Sequence, residues 1–282
     1  MITDPANPRQ VDGAFGVHSV VEFPGYQVPG WLDAPAVDGE WSAIGIPSRA
    51  LKADIDVRLW SPAGTAAGTA LPLLVANDGP EYDMLSGLSQ YTAASIASGA
   101  LPPHRLALLT PGDRDQWYSC STAYASALAT AVLPALRRRV VTRGRPVGMG
   151  TSLGALAMLH AQRRHPATFG GLFLQSGSFF TPRYDRHEAR FGRYVRIVRF
   201  VGDVLRADSA RECAPVAMTC GAIEENLDNN RLMAAALSGQ GYEVRLAEVP
   251  DMHNHTAWRD AFDPYLTDLL THVWSAGFPR ES

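Results

Sequence analysis

The chain has 282 residues, 46% of them hydrophobic and 19% charged, with a formal net charge of −3. This is the composition of a soluble globular protein; it gives no electrostatic footing for nucleic acid or an anionic membrane, and no run of about twenty apolar residues is present to span a bilayer. Three cysteines without C-x-x-C or zinc spacing argue against a disulfide framework and, with no basic-then-apolar leader in the first thirty residues, point to the cytoplasm.

Residues 1–40 are rich in Pro and Gly and read as an N-terminal arm lying over the surface, with one short edge strand at 20–23. Residues 41–282 read as a single domain. Residues 53–60 alternate polar and apolar, the pattern of a half-buried strand in an antiparallel edge pair. The loop 61–70 follows. Beyond it come short apolar runs at 71–76, 105–109, 146–149, 171–174, 215–219 and 244–249. Helical stretches alternate with them at about 88–98, 122–140, 153–164, 227–238 and 258–274, and Pro134 should bend or break the second. Doubly buried strands alternating with helices predict an α/β fold, a mostly parallel central sheet covered by helices on both faces. Residues 179–214, between the sixth and seventh strands, form a small cap-like helical insertion. Six arginines lie between Arg183 and Arg199, and the spacing of three from Arg190 through Arg193 and Arg196 to Arg199 predicts one helical face. That face is either a solvated surface over aromatic packing or a wall that attracts an anionic or aromatic acyl group.

The loops after the parallel strands gather at one sheet edge, where ligands bind in open α/β folds. One of them, Gly150-Thr151-Ser152-Leu153-Gly154, matches G-x-S-x-G between an apolar strand and a small-residue helix. The pentapeptide alone is common, but strand, sharp turn and helix in that order form a nucleophile elbow, which makes Ser152 the candidate nucleophile. A serine hydroxyl needs a neighbouring base. Of eight histidines, His253 and His255 lie in the loop after the last strand, whereas His272 falls within the last helix. A metal reading of His253-x-His255 lacks a third ligand at metal-site spacing. The base must be held by an acid. The loop after 215–219 offers Glu224, with Glu225 as its alternate and Asp228 behind them. The tetrahedral intermediate calls for two donors: Leu153 N–H is one, and Gly79, Glu81 or a water supplies the other, because Pro80 has no N–H.

These residues resemble the esterase D-like branch of the α/β-hydrolases, which includes the enterochelin esterases and the antigen 85 type of mycolyltransferases. The likeness runs over about residues 45–280. It is carried by Asn77-Asp78-Gly79, by Arg114-Asp115-Gln116-Trp117-Tyr118, by the elbow, by Gln175-Ser176-Gly177, by the segment from Gly221 to Asn226 with Asn230-Arg231, and by Asp251-Met252-His253 with Trp258. It implies an α/β-hydrolase fold and a Ser152–Glu224–His253 catalytic triad, and its alignment selects His253 over His255. It places Arg114, with Glu81 and Tyr82, on the substrate; for Arg114 a structural ion pair with Asp113, Asp115 or a neighbouring loop is the alternative. The expected activity is that of a serine esterase acting through an acyl-enzyme on a small ester or lactone, a siderophore among the candidates. No metal or organic cofactor is implied, and the partner is a small-molecule ester. Acyl transfer through the same triad, and an inactive binding protein on the same fold, are the alternatives. Oligomeric state leaves no trace in the sequence.

Overall fold

The computed structural model describes residues 3–13 and 16–275. The arm contains a two-stranded antiparallel hairpin, β1 (Gln10–Gly13) with β2 (Gly16–Ser19). The strand expected at 20–23 is absent, and the pairing lies just before it. The arm is anchored by Trp31, whose ring packs edge-on against Tyr91 and stacks on Phe262. Gln90 Nε2 also donates to the carbonyls of Trp31 and Ala34.

The domain begins with β3 (Gly39–Ser48) and β4 (Ala53–Pro62), an antiparallel pair in which Ile55, Val57 and Leu59 point inward as the alternation predicts. The strands β5 (Leu73–Ala76), β6 (Arg105–Leu109), β7 (Val147–Thr151), β8 (Gly171–Gln175) and β9 (Val216–Gly221) are buried along their whole length; β10 (Val244–Val249) is an edge strand. The eight strands lie in the order β10-β9-β8-β7-β5-β6-β4-β3. All neighbours are parallel except β3 with β4 and β4 with β6. This is the α/β-hydrolase architecture.

Successive strand residues face opposite layers. Leu73 and Val75 join a core with the helices α4 (Thr122–Ala127), α5 (Leu133–Arg139), α6 (Leu153–Arg164), α7 (Tyr194–Arg206) and α8 (Leu227–Gly239). Leu74 and Ala76 join another with α1 (Gly79–Ser86), α2 (Leu88–Ala97), α9 (His255–Asp260) and α10 (Thr267–Ser275). A five-residue helix, α3 (Arg114–Tyr118), starts from Asp113, whose carboxylate accepts from Gln116 N.

Three expectations need correcting. The segments holding Gly79–Tyr82 and Arg114–Tyr118, which lie outside the helical stretches read from the sequence, are helical. Asp78 adopts a left-handed conformation (φ 50°, ψ 32°) and starts α1, which places Pro80 in the first turn, where a missing N–H breaks no helical bond. Pro134 does not break its helix. A wide π-type turn over Leu128–Val132 intervenes, so Pro134 falls in the first turn of α5. The insertion is helical, but its arginines do not share one helix face. Of the four arginines spaced by three, Arg190 belongs to a 3-10 turn, Arg193 precedes the first residue of α7, and Arg196 and Arg199 are within it. Arg196 is not free either: its guanidinium donates to the carbonyls of Ser119 and Gln116, the latter at 2.7 Å, and so pins α7 to the end of α3. Among the described residues no helix is long and apolar enough to cross a membrane.

Candidate active site

The elbow lies at the C-terminal end of β7, a central strand flanked by β5 and β8. Ser152 has φ 54° and ψ −121°, a conformation that L-residues rarely adopt and that surrounding contacts must hold. Those contacts are visible: Ser152 N donates to Gln175 O (2.9 Å), and Ser178 N and Leu156 N donate to Ser152 O. The flanking glycines are there for closeness. A Cβ on Gly150 would stand 2.5 Å from the Gly154 carbonyl carbon, and one on Gly154 would stand 3.2 Å from Asp78 Oδ2. The start of α6 is thereby pressed against both its own strand and the loop after β5.

Glu224 and His253 come together. His253 Nδ1 lies 2.8 Å from Glu224 Oε2. The other carboxylate oxygen accepts from Ser176 Oγ (2.6 Å) and Gly221 N (2.8 Å). The Ser176 hydroxyl itself accepts from Trp258 Nε1 at 2.9 Å, and the Trp258 ring meets the His253 ring edge-on at 5.0 Å. Burial works against the charged carboxylate of Glu224. The hydrogen bond and charge of His253, with the bonds from Ser176 and Gly221, outweigh it and hold its pKa below the ordinary value. The Glu224 side chain is 1% exposed and that of His253 is 39% exposed, so the pair has a buried acid and an accessible imidazole. Among the described residues the hydrogen bond of Ser152 Oγ goes to Ser178 Oγ, at 3.0 Å, and not to His253.

The alternates stand elsewhere. Glu225 has a 69% exposed side chain and pairs with His187 Nε2 at 3.3 Å. His255 is buried, with Nδ1 3.0 Å from Ser86 Oγ and its ring edge-on to Trp258. Burial, then the charges of Arg114 and His253, lower its pKa to about 4, so it is a neutral packing group.

On the substrate side, two sequence assignments meet a physical obstacle. The guanidinium of Arg114 is bound in a two-pronged pair to the buried Asp78, Nε to Oδ1 at 2.9 Å and Nη2 to Oδ2 at 2.8 Å. It is therefore committed to the loop after β5. Tyr82 is wholly buried, and its hydroxyl donates to Gln175 Oε1 at 2.8 Å. Glu81 is exposed on the first turn of α1. Partial desolvation, then the charge of Asp78, raises its carboxyl pKa against the opposing pull of Arg114. Leu153 and Gly79 are the first residues of α6 and α1, where N–H groups lie outside the helical ladder. Gly79 sits directly on β6, because a Cβ there would stand 2.4 Å from Leu108 Cα.

Sequence reasoning missed Asp78, Ser176 and Ser178. A serine in a loop has no spacing signature. Their signal was position alone, at the ends of β5 and β8 beside the elbow.

The chain as a whole is similar to known proteins. The chain is 27% identical over 218 residues to the iron(III) enterobactin esterase of Dickeya dadantii (strain 3937), an alignment covering 71% of this chain and 48% of that protein. The chain thus spans about half the length of that curated relative. The crystal structure of the enterobactin esterase from Shigella flexneri in the presence of enterobactin superposes with a TM-score of 0.78 at 23% identity, covering 98% of this chain and 70% of that one. A ferulic acid esterase superposes with a TM-score of 0.70 at 16% identity, covering 84% of this chain and 99% of that one. At these identities the two structures speak for the fold. The family model described as "Putative esterase" matches residues 48–269, and the chain belongs to that esterase family.

Proposed function

We propose that the chain is a serine esterase that cleaves a carboxylic ester through an acyl-enzyme. The observation that carries this reading is the 2.8 Å pair of His253 Nδ1 with the buried Glu224, in the same cluster of strand-end loops as a serine held at φ 54°. In this mechanism His253 Nε2 removes the proton of Ser152 as Oγ attacks the carbonyl carbon. Glu224 keeps the Nδ1 proton in place and stabilises the imidazolium. The N–H groups of Leu153 and Gly79 receive the charge on the carbonyl oxygen. His253 then protonates the departing alcohol, and water repeats the sequence to release the acid.

The substrate in this reading is a small ester or lactone. Enterobactin, named in the relatives, is the siderophore to try first. The bound state of Arg114 leaves anion recognition to other groups, and Arg183, Arg186 and Arg193 of the insertion are exposed. A cytoplasmic setting fits the three free cysteines.

The test is hydrolysis of short-chain p-nitrophenyl esters and of enterobactin by the purified protein, with Ser152→Ala as control. Ser152→Ala should lower kcat by about 10⁴-fold or more. Undiminished turnover in that variant would overturn the assignment. Product analysis with an added alcohol separates hydrolysis from acyl transfer.

A further inference from the structure

The loop that leaves β8 places a second hydroxyl against the nucleophile. Ser178 Oγ lies 3.0 Å from Ser152 Oγ, and Ser178 is 3% exposed. The backbone around it is fixed from several sides. Ser178 N donates to Ser152 O at 3.1 Å. Asn230 brackets Gly177, accepting from its N–H and donating to its carbonyl, both at 3.0 Å. Gly177 admits no side chain, since a Cβ would stand 2.2 Å from the Phe179 ring. Ser178 therefore meets Ser152 from a rigid mount.

We propose that Ser178 is a catalytic residue, whose hydroxyl donates to Ser152 Oγ and stabilises that oxygen whenever it carries negative charge. The inference rests on Ser152 being the nucleophile. Each serine has one proton to give. In the resting pair the Ser152 proton can point at Ser178. When it turns to His253 Nε2 for the attack, Ser152 Oγ is left with a free lone pair. The Ser178 proton is buried, and Ser152 Oγ is the acceptor the structure provides for it. The two hydroxyls thus exchange donor and acceptor roles as the reaction starts.

The consequence follows the electrons. In acylation the O–H bond of Ser152 breaks, its proton passes to His253, and the oxygen pair forms the new bond to the carbonyl carbon. In deacylation that bond breaks, the pair returns to Ser152 Oγ, and His253 gives the proton back. Ser152 Oγ has alkoxide character on both occasions, and a hydrogen bond to a charged oxygen is stronger than one to a neutral oxygen. In the acyl-enzyme between them the same atom is an ester oxygen and a poor acceptor. The Ser178 donation is strongest near the two transition states, which is the condition for raising kcat.

The test uses the whole chain, a fluorophosphonate probe and a p-nitrophenyl ester. Mass mapping of the phosphonate adduct in the wild-type protein identifies the nucleophile. Ser178→Ala should slow phosphonylation, acylation and deacylation each by about 10- to 100-fold, with KM within about twofold and an unchanged melting temperature. Ser178→Thr, which keeps the hydroxyl, should restore most of the rate. An adduct on Ser152 with Ser178→Ala rates within about twofold of wild type overturns the role of Ser178 and leaves the nucleophile standing. A loss that Ser178→Thr does not rescue, accompanied by a lower melting temperature, makes Ser178 structural and also overturns the role. An adduct on another residue overturns both readings.

Discussion

The two adjacent glutamates of the loop after β9 give the sharpest test of the proposed triad. Glu224→Gln is nearly isosteric, and its consequence can be worked out atom by atom. Oε1 faces two donors, the Ser176 hydroxyl and the Gly221 N–H, so the new amide must keep its oxygen there. That turns the amide NH₂ toward His253 Nδ1, 2.8 Å away in the native pair. An NH₂ donor requires an unprotonated Nδ1, which moves the imidazole proton to Nε2, and Nε2 is then unable to accept the proton of Ser152. An acid-to-amide change that produces the wrong tautomer costs about 10⁴-fold in kcat, or about 5 kcal/mol of transition-state stabilisation. Glu225→Gln removes only an exposed contact to His187 and should leave kcat within about twofold. Steady-state kinetics on a p-nitrophenyl ester, with circular dichroism to show that both variants fold, decides the matter. If Glu224→Gln keeps more than about a tenth of the wild-type kcat, the tautomer argument fails. If Glu225→Gln is the damaging change, the acid has been misassigned.

Two further outcomes follow from buried charge. His104 is fully buried against Trp274, and burial lowers its pKa to about 4, from about 6.5 unfolded, so stability is complete above pH 6.5 and His104 alone removes about 3 kcal/mol as pH falls from 6.5 to 4. Urea unfolding between pH 8 and 4 should show this loss, shared in direction by His160 and His255, and His104→Phe should flatten the slope; an unaltered slope refutes it. Arg114→Ala strands the buried Asp78 carboxylate and should destabilise by about 3–5 kcal/mol, with Asp78→Asn added to the same protein recovering part of the loss. Were Arg114 chiefly a substrate clamp, the single variant would raise KM and unfold at the wild-type urea concentration.

The fold was legible wherever burial on both faces forced continuous apolar runs, as in β5, β6 and β8. It was illegible where the chain is exposed. The hairpin of β1 and β2 has little side-chain burial and hence little period, so nothing marks its register. α1 was hidden because Asn77-Asp78-Gly79-Pro80 reads as turn chemistry, and only the left-handed Asp78 converts that turn into a helix start. At the site, the glycines around Ser152 and the order of serine, acid and histidine along the chain were readable. Side-chain pairing between loops was not. Asp78 and Arg114 are 36 positions apart and meet only because β5 and β6 run parallel and end side by side. The Arg190–Arg199 spacing misled for a related reason: a period of three says nothing about where a helix begins, and α7 begins at Tyr194.

The Asp78–Arg114 pair also bears on Pro80, the residue that looked like a gap in the oxyanion hole. What such a hole needs from the loop after β5 is one N–H in a fixed place, and not an N–H at every position. Gly79 precedes the proline and is held from three directions. Beneath it, a missing Cβ lets it rest on the backbone of Leu108. Behind it, Asp78 is locked by the two bonds from Arg114, and the Asp78 N–H is spent on the Tyr118 hydroxyl at 3.1 Å. Beside it, Asn77 donates to Gly154 O at 2.9 Å and accepts from Tyr124 Oη, which ties the loop to the first turn of α6. Pro80 then adds stiffness to a helix start where its own N–H would have been spare, so the proline is compatible with a Gly79 donor. On this view Arg114 serves the proposed reaction without touching substrate, by fixing the Gly79 peptide that is proposed to donate beside Leu153.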